Sequence, residues 1–233
     1  MNLSAMIPEL LSALPLTLGI MLVAMLVGFV LALIATVFRV RRIPVISQLA
    51  DLYVSYAHSV PVVLQLFVAF YGLPLITDNL GMSDFFTANV AAMIGLSLYH
   101  GGYLSEVMRP AFLAVERGQH DAADSMGYSF RQKMLRIIGP QAVHFALPGY
   151  GNAIIYLVHN VALVMYIGAA DVMATAHLIM ERDYNQYQFG TYLVLAVIYS
   201  LLCLVAWLIV RFFEQRHAKY SAKAARVKLT ASV

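Results

Sequence analysis

The chain has 233 residues, 61% of them hydrophobic and only 12% charged, roughly half the charge of an average soluble domain. That composition excludes an ordinary water-soluble globule and calls for lipid as solvent. A net charge of +3 gives no reason to invoke nucleic acid, because basic residues beside membrane spans have a topological cause, and the lone Cys203 excludes an intrachain disulfide.

Crossing a hydrocarbon core of about 30 Å takes about 20 mostly apolar helical residues, since a helix satisfies its own backbone groups. The first predicted span covers 15–38. No Lys or Arg precedes it, so it lacks the charged start of a signal peptide and is kept as a helix. Gly28, Ala32 and Thr36 recur every four residues within it and allow another helix to approach closely. Further spans are expected at 52–76, 85–108, 143–168 and 191–210. Residues 77–84 then form a short external turn, and 170–190 a longer external connection with room for an interfacial helix. The expectation is an all-α, single-domain membrane bundle with a basic tail over 211–233.

The basic residues test that count. Arg39, Arg41 and Arg42 follow the first span; Arg109, Arg117, Arg131, Lys133 and Arg136 lie between the third and fourth; Arg211, Arg216, Lys219, Lys223, Arg226 and Lys228 follow the fifth. With five spans these 14 of the 15 Lys and Arg fall on one side, which the positive-inside rule makes cytoplasmic. The N-terminus is then outside and the C-terminus inside, with Arg182 alone external.

The segment 117–140 is too ordered in its chemistry for a linker. Asp121 is expected to cap a short helix through Ala122, Ala123 and Met126, which Gly127 ends in a left-handed conformation. Ser129 and Gln132 have capping-box spacing and start a second helix with Met134, Leu135, Ile137 and Ile138, expected to stop at Gly139-Pro140. Two short helices with a sharp bend make a knob carrying Arg131, Lys133 and Arg136. It can dock in a partner's groove or lie on anionic lipid.

Asp121-Ala122-Ala123, three residues, Gly127, nine residues, Ile137, one residue, Gly139-Pro140 resembles the EAA loop of bacterial ABC importer permeases, EAA-x3-G-x9-I-x-L-P. Asp121 stands for the usual Glu and Gly139 for the usual Leu. The run Tyr103-Leu104-Ser105-Glu106-Val107-Met108-Arg109, with Gly118-Gln119, Pro140-Gln141 and Leu147-Pro148, is similar to permeases for polar amino acids of the histidine, glutamine, arginine and cystine type. The resemblance implies a type I importer bundle in the bacterial cytoplasmic membrane. It implies as partners a second permease subunit, identical or homologous, two cytoplasmic ATPase subunits holding ATP and Mg, and an external substrate-binding protein. The loop would sit in a cleft of the ATPase, through Asp121, Ala122, Ala123, Gly127, Arg131, Ile137 and Pro140. Two departures stand out: His58-Ser59-Val60-Pro61 where the family commonly has R-G-T-P, and His159-Asn160-Val161-Ala162-Leu163 where it commonly has a Lys followed by a Thr/Ser-rich pair and Leu.

Polar side chains within spans usually face a bundle interior or an aqueous path. Ser55, His58, Ser59 and Gln65 fall near one stripe of span two, with Pro61 able to bend it; Ser97, His100, Gly101 and Ser105 share a face of span three; Asn152, Tyr156, His159 and Asn160 share one of span four. These faces are candidates for the substrate path of a zwitterion, and each histidine has an alternative as an interhelical hydrogen-bonding group. Glu106 can hold substrate or pair with Arg109. No HExxH zinc motif and no Walker-type loop occurs, so no metal or cofactor is expected in this chain and ATP must be hydrolysed by another subunit. The competing expectation is a stand-alone proton-coupled carrier with His58, His100 or His159 as relays.

Overall fold

A computed structural model describes residues 3–230, with side chains for all of these except 3–5, 80, 83 and 217–230. Among the described residues every regular element is helical. The chain runs through α1 (Leu3–Arg41), α2 (Ile46–Ser59), α3 (Val62–Phe67) and α4 (Leu73–Thr77), then α5 (Ala88–Leu113), α6 (Arg117–Ser125) and α7 (Phe130–Lys133). α8 (Gly139–Val161), α9 (Val172–Arg182) and α10 (Gln188–Thr230) complete it.

Among the described residues, three segments can cross a membrane by length and composition: Met6–Arg41, Phe130–Ile167 and Gln188–Arg216. A fourth is the broken pair Ile46–Ser59 and Val62–Thr77, bent by 116°. The continuous span expected over 52–76 is therefore not what forms. Pro61 has no N–H to donate and forces Val60 out of the helical region, to φ −94° and ψ 127°. Gln65 Nε2 donates to the carbonyls of Ala57 (3.1 Å) and Val60 (2.7 Å), which the break frees. The span expected over 85–108 corresponds to α5, whose N-cap is Thr87. It is the most enclosed helix of the bundle, so its Ser, His and Gly face protein and its composition alone does not mark it as a span. The connection expected over 170–190 holds α9, capped by Asp171, whose side chain accepts from the Ala174 N–H.

The stripe of small residues on α1 meets the polar stripe of α5, and the two helices run parallel. Gly28 faces Ser97, His100 and Gly101, Ala32 packs with Leu104, and Thr36 Oγ1 hydrogen-bonds Ser105 Oγ at 3.2 Å. A Cβ on Gly28 would lie 3.0 Å from the His100 ring and 3.1 Å from the Ser97 carbonyl, so a larger residue there would have to push α5 aside. Because α1 and α5 point the same way, the chain between them must travel back along the bundle, and α2 to α4 make that return.

All three basic segments end at one pole. Arg39 closes α1 on Asp51 of α2 and Glu106 of α5, both at 2.6 Å, and the Arg41 guanidinium lies over Phe130 of α7. α10 runs antiparallel to α8, with Cys203 beside His159 and Val210 against Gly151. Arg211 therefore lies near the level of Gly149, which faces Val107 of α5, close to the Arg39–Glu106 pair. At the other pole Arg182 pairs with Glu9 at 3.0 Å, above a cluster of Leu10, Val172, Ile179 and Leu195.

Candidate functional site

Residues 117–138 form the knob, which differs from its sequence reading in the start of its first helix, the placement of Lys133 and the end of its second helix. α6 starts at Arg117, so Asp121 is inside the helix rather than its cap, and its carbonyl accepts from Ser125 Oγ at 2.9 Å. Glu116 precedes the first turn, and the Gln119 N–H already bonds to its carbonyl, so the helix begins well before the expected cap. Ala122 is exposed and Ala123 fully buried. Gly127 has φ +73°, and with it the N–H of Tyr128 reaches back to the carbonyl of Ala123 at 3.1 Å, a helix end that a residue with a Cβ makes strained.

The capping box of Ser129 and Gln132 is formed in both directions. Lys133 does not project outward: its Nζ binds both oxygens of Asp124, at 2.7 and 2.8 Å, and pins the two helices together. Nor does the second helix stop at Gly139-Pro140. A π turn over Met134–Ile138 carries it directly into α8. The wider turn lets the Gly139 N–H bond to the Met134 carbonyl and seats Pro140 in the first turn of α8, where a missing N–H costs little. A Cβ at position 139 would collide with that same carbonyl. Ile137 is half-buried and its carbonyl accepts from Gln141 Nε2, while Ile138 is buried with Val115 and Ala142. Met126 and Leu135 stand exposed on the knob, as do Arg131 and Arg136.

The expected path residues divide into three groups. Ser97, His100 and Ser105 are buried against α1, and Gln65 is buried under the break of α2, so none of these four faces an open path. Ser97 Oγ is spent on the Met93 carbonyl at 2.6 Å. Glu106 pairs with Arg39 instead of Arg109; the arginine comes from α1, a partner that spacing along α5 does not reveal. His159 turns towards α10, its Nε2 3.6 Å from Cys203 Sγ, in a shallow depression with Ile155, Ser200 and Trp207.

The remaining residues meet on one open surface. The exposed His58 ring stacks on Tyr103 with centroids 5.3 Å apart and planes 19° apart. Tyr103 meets the edge of Tyr156 at 5.5 Å and lies 6.2 Å from Tyr99. Asn160 is beside the Tyr99 hydroxyl. Asn152, exposed, continues the row of Tyr156 and Asn160 along α8, and Ser59 is exposed next to His58. Tyr99 and Tyr103 are the members that polar spacing missed; both lie on α5 four residues apart, and an aromatic repeat at helical spacing was the available signal.

Residues 24–219 match the family described as binding-protein-dependent transport system inner membrane component. The chain belongs to this family. It is 36% identical over 212 residues to the probable amino-acid permease protein YxeN of Bacillus subtilis (strain 168), covering 91% of this chain and 92% of that protein. It is 31% identical to the L-cystine transport system permease protein TcyL of the same organism, covering 95% and 92%. Among solved structures, an amino acid ABC transporter crystallised with histidines superposes with a TM-score of 0.79 at 28% identity, over 93% of this chain and 99% of that one. The inward-facing MetNI methionine ABC transporter shares the fold, with a TM-score of 0.75 at 19% identity over 93% and 99%. Membership in a family of transport-system components leaves the stand-alone carrier reading without support.

Proposed function

We propose that this family member is a permease subunit of an ATP-driven importer that moves a polar amino acid or close derivative across the bacterial cytoplasmic membrane. The observation that carries this reading is the rigid knob at the pole where the basic segments gather. Its bend is set by Gly127, its two helices are clamped by Asp124–Lys133, and it continues without a break into α8. A movement imposed on Met126 or Arg131 is thereby carried into the helix that bears Asn152, Tyr156 and Asn160. Loops do not transmit displacement in this way; a continuous helix does.

In this reading α1, the bent α2–α4 unit, α5, α8 and α10 are five spans of one transmembrane domain, with the N-terminus outside and the arginine-rich pole cytoplasmic. Asp121, Ala122, Ala123, Gly127, Arg131, Ile137 and Pro140 form or support the ATPase-coupling knob. His58, Ser59, Tyr99, Tyr103, Asn152, Tyr156 and Asn160 line the substrate path, where hydroxyl, amide and imidazole groups replace water around a zwitterion. ATP binding in two partner ATPases draws the knobs of this chain and a second permease subunit together and opens the spans outward. Hydrolysis resets them, and an external binding protein delivers substrate. The amino-acid substrates named for YxeN and TcyL support the substrate class.

The test is reconstitution of the chain with its ATPase partner in proteoliposomes and uptake of a panel of labelled amino acids. ATP-dependent uptake of one or a few polar amino acids is expected. Uptake that follows a proton gradient without ATP would overturn the proposal.

A further inference from the structure

α1 and α8 both pack on α5, and a cavity of about 500 Å³ is left between them. Leu33 and Val37 form one wall, Ala146 and Tyr150 the other, and Leu104 and Met108 the floor. The groove has two defined ends. At one, Phe29 meets Tyr150 edge to face, centroids 6.3 Å apart. At the other, the Arg41 guanidinium lies 3.6 Å above the centre of the Phe130 ring.

These ends fix what fits. From Arg41 to Phe29 is twelve residues of helix, about 18 Å at 1.5 Å per residue, close to the roughly 15 Å that one leaflet contributes to the hydrocarbon core. A volume of about 500 Å³ spread over that length admits one extended hydrocarbon chain. The lining is almost wholly apolar, and its one charged member is Arg41. Arg41 and its neighbour Arg42 are exposed, and neither makes an ion pair among the described residues. An apolar slot of leaflet length, ending in guanidinium groups with no carboxylate partner among the described residues, matches a chain with an anionic head.

We infer that the groove holds one acyl chain of an anionic phospholipid, its phosphate at Arg41 and its tail running towards Phe29. Because Phe130 and Met134 of the knob also border the groove, the bound lipid braces the knob against α1. Naming the leaflet cytoplasmic rests on the orientation proposed above; occupancy of the groove does not.

The experiment places the full chain in phosphatidylethanolamine nanodiscs containing a small share of phosphatidylglycerol with a photoactivatable acyl chain, and maps the labelled peptides by mass spectrometry. Labelling is expected on residues 29–40 and 142–150, above that of the outer face of α10. Unlabelled phosphatidylglycerol should compete about fivefold better than phosphatidylethanolamine, the weight of one basic residue beside an anionic headgroup, and Arg41→Gln should bring that ratio near one. Ala146→Phe should remove the groove label while labelling of α10 persists, which separates filling from misfolding. Groove labelling no higher than that of α10, equal competition by both lipids in the wild type, or a ratio unmoved by Arg41→Gln would each overturn the inference. Loss of the label when the ATPase partner or a second permease subunit is bound would assign the groove to protein contact and overturn it too.

Discussion

Inside a membrane helix a serine or histidine costs free energy unless a partner meets its hydrogen bonds, and the polar residues here sort by that criterion except His100, whose buried Nε2 has no partner among the described residues. Ser105 has Thr36 and Arg39, Ser97 has its own helix, and Gln65 has the carbonyls at the α2 break; all are closed off. His58, Tyr156 and Asn152 are open. Tyr156→Leu, which keeps the bulk but removes the hydroxyl, is expected to lower substrate-stimulated ATP hydrolysis about tenfold, equivalent to about 1.4 kcal/mol, the size of one hydrogen bond. His159→Leu, in contact with α10, should change it less than threefold on the same scale. The assay is ATPase rate against substrate concentration in the reconstituted complex; the opposite ranking would move the path to the α10 side. Periodicity in the sequence groups residues on a face without saying what that face meets. Thus the small stripe of Gly28, Ala32 and Thr36 and the polar stripe of Ser97, His100 and Ser105 are each legible, but their mutual contact is not. Glu106 and Arg39 fail for the same reason, being 67 residues apart.

The knob shows which parts of an element its local chemistry dictates. The left-handed Gly127 and the Ser129–Gln132 capping box follow from neighbouring residues and form as expected. Asp124–Lys133 closes across the bend and depends on the bend having formed. The stop expected at Gly139-Pro140 rests on the usual clash of proline with the preceding turn, which the π turn relieves. Gly127→Val puts a β-branched residue at φ +73°, a cost of about 1–3 kcal/mol. It should displace Met126 and Phe130 and abolish ATP-dependent uptake while membrane insertion persists. Uptake assays beside quantitation of the chain in membranes check this, and normal transport at normal abundance would remove the knob from coupling.

For the whole molecule, the placement of basic residues was the most informative signal, because one field acts on every loop at once. The structure gathers Arg39, the knob and the start of the α10 tail at one pole, although residues 231–233 of that tail lie outside the described residues. A reporter fused after Val233 should read cytoplasmic and one inserted near Asn79 external; a reversed readout at either site would sink the five-span orientation. Span count is hard to read from composition, since α5 hides its polar residues in protein and α2 breaks at Pro61. The parallel pairing of α1 with α5 also sets an order in time. A ribosome adding about 5–20 residues per second delivers Glu106 some 3–13 s after Arg39, the two being 67 residues apart. Through that interval the nascent first helix has its Gly28–Thr36 face uncovered and its terminal guanidinium without the α5 carboxylate. Chains arrested before residue 88 never leave that condition, so they should be degraded faster than chains arrested after residue 113.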